Sequence, residues 1–237
     1  MNLSELRTKF VTFSGREDLI TSDGDDNGAD FFINAGQRFL DRRIDFRKST
    51  GVYFKSVAVD AWYLKLDGCR SVDKVWVNDV EDRWELEKKD LSWLYKEYPE
   101  LISATDSGDA SYWSPAELRG IRTSDQDDQG DFFRYVLGEV EREDVTGIVF
   151  LPPTDIALTV EIHGKFYSPE LTKDAASSYW ARVVPETLLM AALYRLEMFY
   201  RNTDGAKDWL AGIDLDLLDI DKDTVHEDNV NVDQLEG

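Results

Sequence analysis

The chain is poor in the residues on which most site chemistry depends. Among 237 residues there is one cysteine, Cys69, and there are two histidines, His163 and His226. A lone cysteine excludes an intrachain disulfide framework and fits synthesis in a reducing compartment. With no CxxC partner, Cys69 reads as incidental rather than nucleophilic. Two histidines far apart in sequence exclude a His-rich metal site, and a Ser-His-Asp triad on His163 would need a nucleophile to which nothing in the sequence points. GxGxxG, Walker-A and HExxH patterns are missing. The longest apolar block, near Leu188 to Tyr194, is far too short to span a bilayer, and Met1-Asn2-Leu3-Ser4-Glu5 lacks the basic and then apolar order of a signal peptide. The expectation is a soluble, non-enzymatic protein folded in a cytoplasm, with no cofactor, no metal and no membrane partner.

Positive charge is also scarce. Lys and Arg number 27 against 48 Asp and Glu, a net charge of −21. Phosphate recognition needs clustered cations, so this balance excludes a sequence-reading nucleic-acid binder and an anionic membrane surface. It is compatible with a lumen through which DNA slides, where repulsion discourages adhesion. What the chain does have is apolar and aromatic material: 42% hydrophobic residues, with 7 Trp, 10 Tyr and 12 Phe. That is a globular composition, sufficient for one large domain or two small ones.

Read along the chain, the first fifty residues are helical. Asn2 with Glu5, and Ser14 with Glu17, have capping-box spacing. Ser22-Asp23-Gly24-Asp25-Asp26-Asn27-Gly28 is a turn-rich acidic loop. A helix from about Asp30 to Phe46 follows, with Phe32, Gly36, Phe39, Leu40 and Arg43 as its inward stripe. Acids at its start and Arg42, Arg43, Arg47 and Lys48 at its end match the helix dipole. From Gly51 the period becomes two. Val52-Tyr53-Phe54 through Leu64-Lys65-Leu66, then Asp67-Gly68, then Val72 to Val77 predict strands pairing across an Asp-Gly turn. A short helix starts near Asp90, with Leu91, Leu94 and Tyr98 on one side, and Pro99 ends it. Ser103 to Gly130 reads as loop with short strands near Tyr112 and Trp113. Strands return at Gly147–Leu151 and at Ile156–Phe166, the latter half-buried by alternation.

Helix dominates again from Glu186 to Asn202. Leu189, Ala192, Leu193, Leu196, Phe199 and Tyr200 form one apolar face, and Met190, Tyr194 and Met198 a second. So wide an apolar surface needs more than one neighbour. A further helix is expected from Ala206 to about Leu218, and then an extended acidic tail. The fold class is therefore α+β: a helical bundle formed by both chain ends, with an inserted antiparallel β-rich domain. The domains are 1–50 and 168–212 (helical), 51–167 (β-rich insertion) and 213–237 (acidic C-terminal docking tail).

Candidate sites are few. Asp23, Asp25, Asn27 and Gly28 match an EF-hand loop at its first positions, but Asn34 stands where the bidentate Glu belongs, so the loop reads as a helix start. Asp214-Leu215-Asp216-Leu217-Leu218-Asp219-Ile220-Asp221 alternates acids with aliphatics. Two readings stay open, a solvated tail and a segment that docks its aliphatics into a partner groove. Carboxylate pairs of glycosidase type are uninformative among 48 acids, because chance pairs are inevitable. The tryptophans Trp62, Trp76, Trp84, Trp93, Trp113, Trp180 and Trp209 suit either a carbohydrate-binding face or core and interface packing.

Three blocks, in order, resemble the adaptor proteins that join capsid portal to tail in tailed bacteriophages. The first leads from Leu6–Leu19 into Ile33-Asn34-Ala35-Gly36-Gln37-Arg38-Phe39-Leu40-Asp41-Arg42. The second runs from Trp84-Glu85-Leu86-Glu87-Lys88 through Leu94-Tyr95-Lys96-Glu97-Tyr98-Pro99 to Tyr112-Trp113. The third runs from Ile148-Val149-Phe150-Leu151-Pro152-Pro153 through Leu171-Thr172 and Tyr179-Trp180. It continues through Pro185-Glu186-Thr187-Leu188-Leu189 to Tyr200-Arg201-Asn202-Thr203-Asp204-Gly205-Ala206. Where the family often has Pro-x-Pro-Asp, this chain has Pro152-Pro153-Thr154-Asp155.

The resemblance implies a virion protein of the neck. It would form a dodecameric ring of itself under the portal protein, contact the next neck or tail component, and pass double-stranded DNA without binding it specifically. It further implies portal docking by Trp209, Leu210, Ile213, Leu215, Leu218 and Ile220. For Trp209 and Leu210, packing on their own bundle is the open alternative. Met190, Tyr194, Met198, Tyr179 and Trp180 are expected at subunit contacts. A carbohydrate- or receptor-binding virion module is the main alternative, motivated by the Trp-rich β region, and an acidic virion hydrolase a second.

Overall fold

The computed structural model describes residues 1–43, 50–79, 81–99, 105–116, 118–119, 144–145 and 147–230. The expected loop beyond Arg119, up to Gly130, lies outside them. The chain divides into two compact units, Met1–Ser49 with Tyr167–Gly237, and Thr50–Phe166. Among the described residues there are six α-helices and two four-stranded, largely antiparallel sheets.

In the first unit, α1 (Leu3–Ser14) starts at the expected capping box. The Asn2 amide N–H donates to Glu5 Oε2 at 3.0 Å, and the Glu5 N–H donates to Asn2 Oδ1 at 2.9 Å. Gly15 closes the helix at φ 66°, the left-handed conformation that lets its N–H reach the Val11 carbonyl. The Ser14–Glu17 box does not form. Ser14 Oγ donates to the Val11 carbonyl and accepts from the Arg16 N–H, because the chain turns at Gly15 into a single 3-10 turn rather than a new α-helix.

Helix α2 (Ala29–Arg43) begins where the Asp26 carboxylate accepts from the Asp30 and Gly28 N–H groups. Its buried face holds Phe32, Ile33, Gly36, Gln37, Leu40 and Asp41. This is the expected stripe rotated by part of a turn, so Phe39 is half-buried and Arg43 exposed. A Cβ on Gly36 would lie 2.7 Å from the Ala192 backbone nitrogen, so glycine is what lets α2 approach α5 (Pro185–Phe199) this closely.

The short α4 (Tyr179–Val183) precedes α5, and α6 (Thr203–Val230) folds back antiparallel along it. Leu3, Leu6, Phe10, Ile33, Leu40, Trp180, Leu188, Leu193, Leu196, Ile213 and Leu217 form one continuous core. Each fully buried aliphatic contributes about 1.5–3 kcal/mol of transfer free energy.

The run beyond Leu218, expected as an extended tail, is instead helical as far as Val230. Ile213, Leu217 and Ile220 recur at helical spacing on the face that packs against the core. The alternation of acids with aliphatics hides that period in the sequence. Residues 231–237 lie outside the described residues.

The second unit is built on β1 (Thr50–Val57), β2 (Tyr63–Lys65), β3 (Cys69–Asn78), β4 (Arg83–Glu85), β5 (Glu87–Lys88), β6 (Tyr112–Pro115), β7 (Leu118–Arg119), β8 (Asp144–Val145), β9 (Gly147–Leu151) and β10 (Leu158–Phe166). Helix α3 (Leu91–Glu97) follows β5. One sheet has the order β1-β10-β3-β4 and the other β2-β9-β6-β5, with β7 and β8 as a separate pair. Val75, Val77, Val160 and Ile162 from the first sheet share a core with Leu64, Trp113, Ile148 and Phe150 from the second.

The Asp67-Gly68 turn is present, with Gly68 at φ 71°, but it does not make the expected hairpin. It passes the chain from β2 in one sheet to β3 in the other, so the strands on either side of it do not pair. Strand β10 also departs from clean alternation. Ile156 lies outside it and is exposed, and Glu161, expected on the polar face, is buried. The double proline after β9 opens a turn with a cis Leu151–Pro152 bond. Thr154 then anchors it, its hydroxyl donating to the Ala58 carbonyl and its N–H to the Ala61 carbonyl.

Candidate interaction surfaces

The buried polar residues of α2 explain why so amphipathic a helix carries Asn34, Gln37 and Asp41 at i, i+3 and i+7. They receive the extended backbone of residues 168–171. Asn34 donates to the Leu171 carbonyl at 3.1 Å and accepts from its N–H at 2.9 Å. Gln37 donates to the Pro169 carbonyl at 2.8 Å. Asp41 accepts from the Ser168 N–H and hydroxyl and, at 2.7 Å, from the Trp180 indole N–H. These three side chains do the work of a missing strand partner. Their role is architectural.

The acidic positions are engaged in the same way. In the loop before α2, the Asn27 amide donates to the Asp18 carbonyl and Asp26 caps the helix. Arg7, itself buried, makes a two-point pair with Asp30 and also reaches Asp174 and the Gly24 carbonyl. Its pKa is raised, chiefly by the hydrogen bond to Asp30. Asn34, at the twelfth EF-hand position, is held by Leu171 instead. Among the described residues no group of three or more His, Cys, Asp or Glu side chains could hold a metal ion.

The nearest approach to a catalytic cluster lies in the second unit. Arg83 donates to both oxygens of Glu161 at 3.1 and 2.9 Å, and His163 Nε2 lies 2.6 Å from Glu161 Oε1. Hydrogen bonding by Arg83 holds the Glu161 carboxyl below its ordinary range. That is the reverse of what a general acid needs at neutral pH. Arg83 also lies 4.3 Å above the Trp76 ring and so covers it. Trp84 donates to the Ala110 carbonyl, Trp113 is buried, and the remaining tryptophans of this unit, Trp62 and Trp93, are half-buried. None presents the open aromatic platform of a sugar site.

The residues expected at the portal separate into two groups. Ile213 is fully buried in the unit's own core, and Trp209 and Ile220 pack against it half-buried, as is Leu210. Leu215 and Leu218 point outward, 66% and 58% exposed. Two bonds fix that orientation: Arg43 forms a two-point pair with Asp214 at 2.7 and 2.9 Å, and the Thr187 hydroxyl donates to Asp216 at 2.8 Å.

The expected subunit contacts separate too. Trp180 is sealed in the core, with Tyr179 edge-on to it at 5.5 Å. Met190 lies over Gly212, and Tyr194 lies against Phe39 at 5.0 Å. Of these five residues Met198 alone is classed as exposed.

Met198 belongs to a surface of which the sequence pattern showed Met198, Phe199 and Tyr200 but not Phe31. Phe31, Met198, Phe199 and Tyr200 are exposed together around the N-terminal end of α2 and the C-terminal end of α5. Phe32 meets Phe31 at 5.2 Å and Phe199 at 5.8 Å, and Phe10 stacks on it from the core. The aromatic chain thus runs from the interior to the surface. Beside it is a groove of about 460 Å³, lined by Phe31, Ala35, Met198 and Phe199 together with Arg38, Arg42 and Arg195. The one available signal was the pair Phe31-Phe32: neighbouring helix positions are about 100° apart, so with Phe32 inside, Phe31 turns outward.

The buried carboxylates Asp41 and Glu161 are thus engaged within the fold, and exposed apolar side chains stand on the surface of the helical unit. The model of the SU10 adaptor protein family matches residues 1–233, and the chain belongs to this family of phage head-tail adaptors. Membership implies a structural role in the virion and interaction with other head or tail components. A search of curated proteins returned no match. Among the described residues no helix is long and apolar enough to cross a membrane.

Proposed function

We propose that this protein is a ring-forming adaptor of the phage neck, seated under the portal, joining capsid to tail and extending the DNA channel. In this reading the helical unit formed by both chain ends is the portal-facing body. The β-rich unit is an insertion that meets the next neck component. Ring formation is heterologous: one patch on each copy meets a different patch on its neighbour, and the rotation closes, at twelve copies on the family pattern.

The observation that carries the reading is the outward pair Leu215 and Leu218, held exposed on α6 by the Arg43–Asp214 and Thr187–Asp216 bonds. Aliphatic side chains set in an acidic helix are the form in which a helix docks into a partner's apolar groove. Trp209, Leu210 and Ile220 support that edge from beneath, and Ile213 belongs to the core. The net charge of −21 per copy gives a lumen that repels the phosphate backbone, so DNA passes without sticking.

The test is electron microscopy and light scattering of the purified chain, alone and mixed with portal. Rings bound to the portal through the helical unit are the expected result. A chain that stays monomeric and ignores the portal refutes the proposal.

A further inference from the structure

The helical unit carries complementary features at opposite ends. Around the C-terminal end of α5 lies the groove lined by Phe31, Met198 and Phe199 and by Arg38, Arg42 and Arg195. Beyond the N-terminal end of α5 projects the acid-rich end of α6. From position 221 the sequence carries Asp221, Asp223, Glu227, Asp228, Asp233 and Glu236 against Lys222, interspersed with Val225, Val230, Val232 and Leu235.

We propose that the groove between α2 and α5 receives the acid-rich stretch 221–236 of a second copy of this chain, in a head-to-tail contact. The inference rests on the ring reading for its biological setting and supplies the subunit contact which that reading needs.

Charge argues for the occupant. Acids outnumber bases 48 to 27 in the chain, yet three arginines line this one groove. Their present partners leave capacity. Arg38 pairs with Glu170, but both side chains are half-exposed, and such a pair is readily exchanged. Arg42 donates to the Tyr167 hydroxyl, a neutral acceptor. Arg195 stacks over Phe39 and Tyr194, a cation–π contact that leaves its charge without a carboxylate pair among the described ion pairs. A carboxylate bound here would gain donors already in place, and an aliphatic neighbour would cover the exposed rings. Duplex DNA could use the arginines but would leave the exposed rings of Phe31 and Phe199 uncovered.

Geometry argues that the occupant comes from another copy. Asp216 sits level with Thr187 near the start of α5, whereas Met198 is near its end. At 1.5 Å per helical residue, Val230 and Met198 are then about 37 Å apart along the helix axes. The helical acid-rich stretch 221–230 therefore runs away from the aromatic end of its own copy's groove. Donor and acceptor at opposite ends of one body define the heterologous contact that propagates into a ring.

The experiment is sedimentation and light scattering of the full chain over a range of protein and salt concentrations. Arg38→Glu, Arg195→Glu and the double change Asp233→Lys with Glu236→Lys are compared with wild type. Thermal melting checks that each is folded. Because Arg195 also stacks on Phe39, the exposed Arg38 provides the variant with least effect on folding. The expected result is self-association that weakens with salt, and is weakened about tenfold or more by either arginine reversal or by the acidic-end reversal. Combining Arg38→Glu with the acidic-end reversal should recover part of the loss. A chain that remains monomeric throughout, or one whose association ignores these changes, overturns the proposal. So does duplex DNA binding that the arginine reversals abolish while self-association persists. Portal binding is measured separately on the same samples. A wild-type chain that self-associates through the groove but ignores the portal refutes the adaptor reading and leaves this contact standing.

Discussion

Asp41 shows how one side chain can hold a fold together. It is almost fully buried, and its two oxygens accept from Ser168 twice and from the Trp180 indole once. Asp41→Ala removes both acceptor oxygens and leaves three donors unpaired, the buried ones at a cost of about 1–3 kcal/mol each. The expected loss is about 2–4 kcal/mol in urea unfolding, followed by Trp180 fluorescence. Glu161 provides a different residue-scale test, one of pH. Its folded-state pKa is lowered from the usual 4.5, first by the hydrogen bonds from Arg83. A lowered carboxylate stabilises the fold fully above its unfolded pKa, and that contribution disappears as pH falls through the folded value. Wild type should therefore lose stability below about pH 4.5 more steeply than Glu161→Gln, whose amide does not titrate in that range. Equal acid slopes for the two proteins would remove Glu161 from the account. Neither role was legible in the sequence. Asp41 is one of 48 acids, and only the long-range return of residues 168–180 onto α2 distinguishes it.

At the scale of elements, local signals were readable and partner choice was not. The Asn2–Glu5 capping box, the start of α3 after Asp90 and the all-buried strand β9 depend on neighbouring residues, and each formed where the sequence placed it. The Asp67-Gly68 hairpin did not form, because a turn sequence specifies chain reversal but not the sheet in which the next strand finds its partner. Helix α6 was cut short for a related reason. Its acids suggested solvent, and only packing of Ile213 and Leu217 into the core makes the helical period decisive. Gly36 tests the packing directly. Because a Cβ there would meet the Ala191–Ala192 backbone of α5 at 2.7–3.0 Å, Gly36→Ala must push the two helices apart. We expect a loss of about 1–3 kcal/mol despite alanine's better helix propensity, measured by thermal melting. A gain in melting temperature would show that α2 and α5 do not approach as described.

The molecule as a whole divides its apolar residues between what it needs to fold and what it offers outside. Ile213 and Trp180 fall in the first class, although the sequence alone grouped them with contact residues. Leu215, Leu218, Met198 and Phe199 fall in the second. Helical spacing finds an apolar face but not its edge, which is where a partner is met. The whole-molecule prediction separates the two classes. Leu215→Ser with Leu218→Ser should leave the melting temperature within the change expected of surface substitutions, about 0.5 kcal/mol each. The same pair should weaken portal binding at least about tenfold, read by titration of labelled portal. Ile213→Ser should do the reverse in order: it unfolds the unit first, and any loss of binding follows the loss of fold, since a buried aliphatic exchanged for a hydroxyl costs about 3 kcal/mol or more. If the leucine pair lowers stability as much as Ile213→Ser and leaves portal binding intact, the exposed edge of α6 serves the fold and the docking role fails. The acidity of the helix supports the asymmetry. Carboxylates flanking Leu215 and Leu218 keep that edge soluble until a partner covers it, and the like charge they place on every copy limits association to contacts that bring guanidinium groups to meet it.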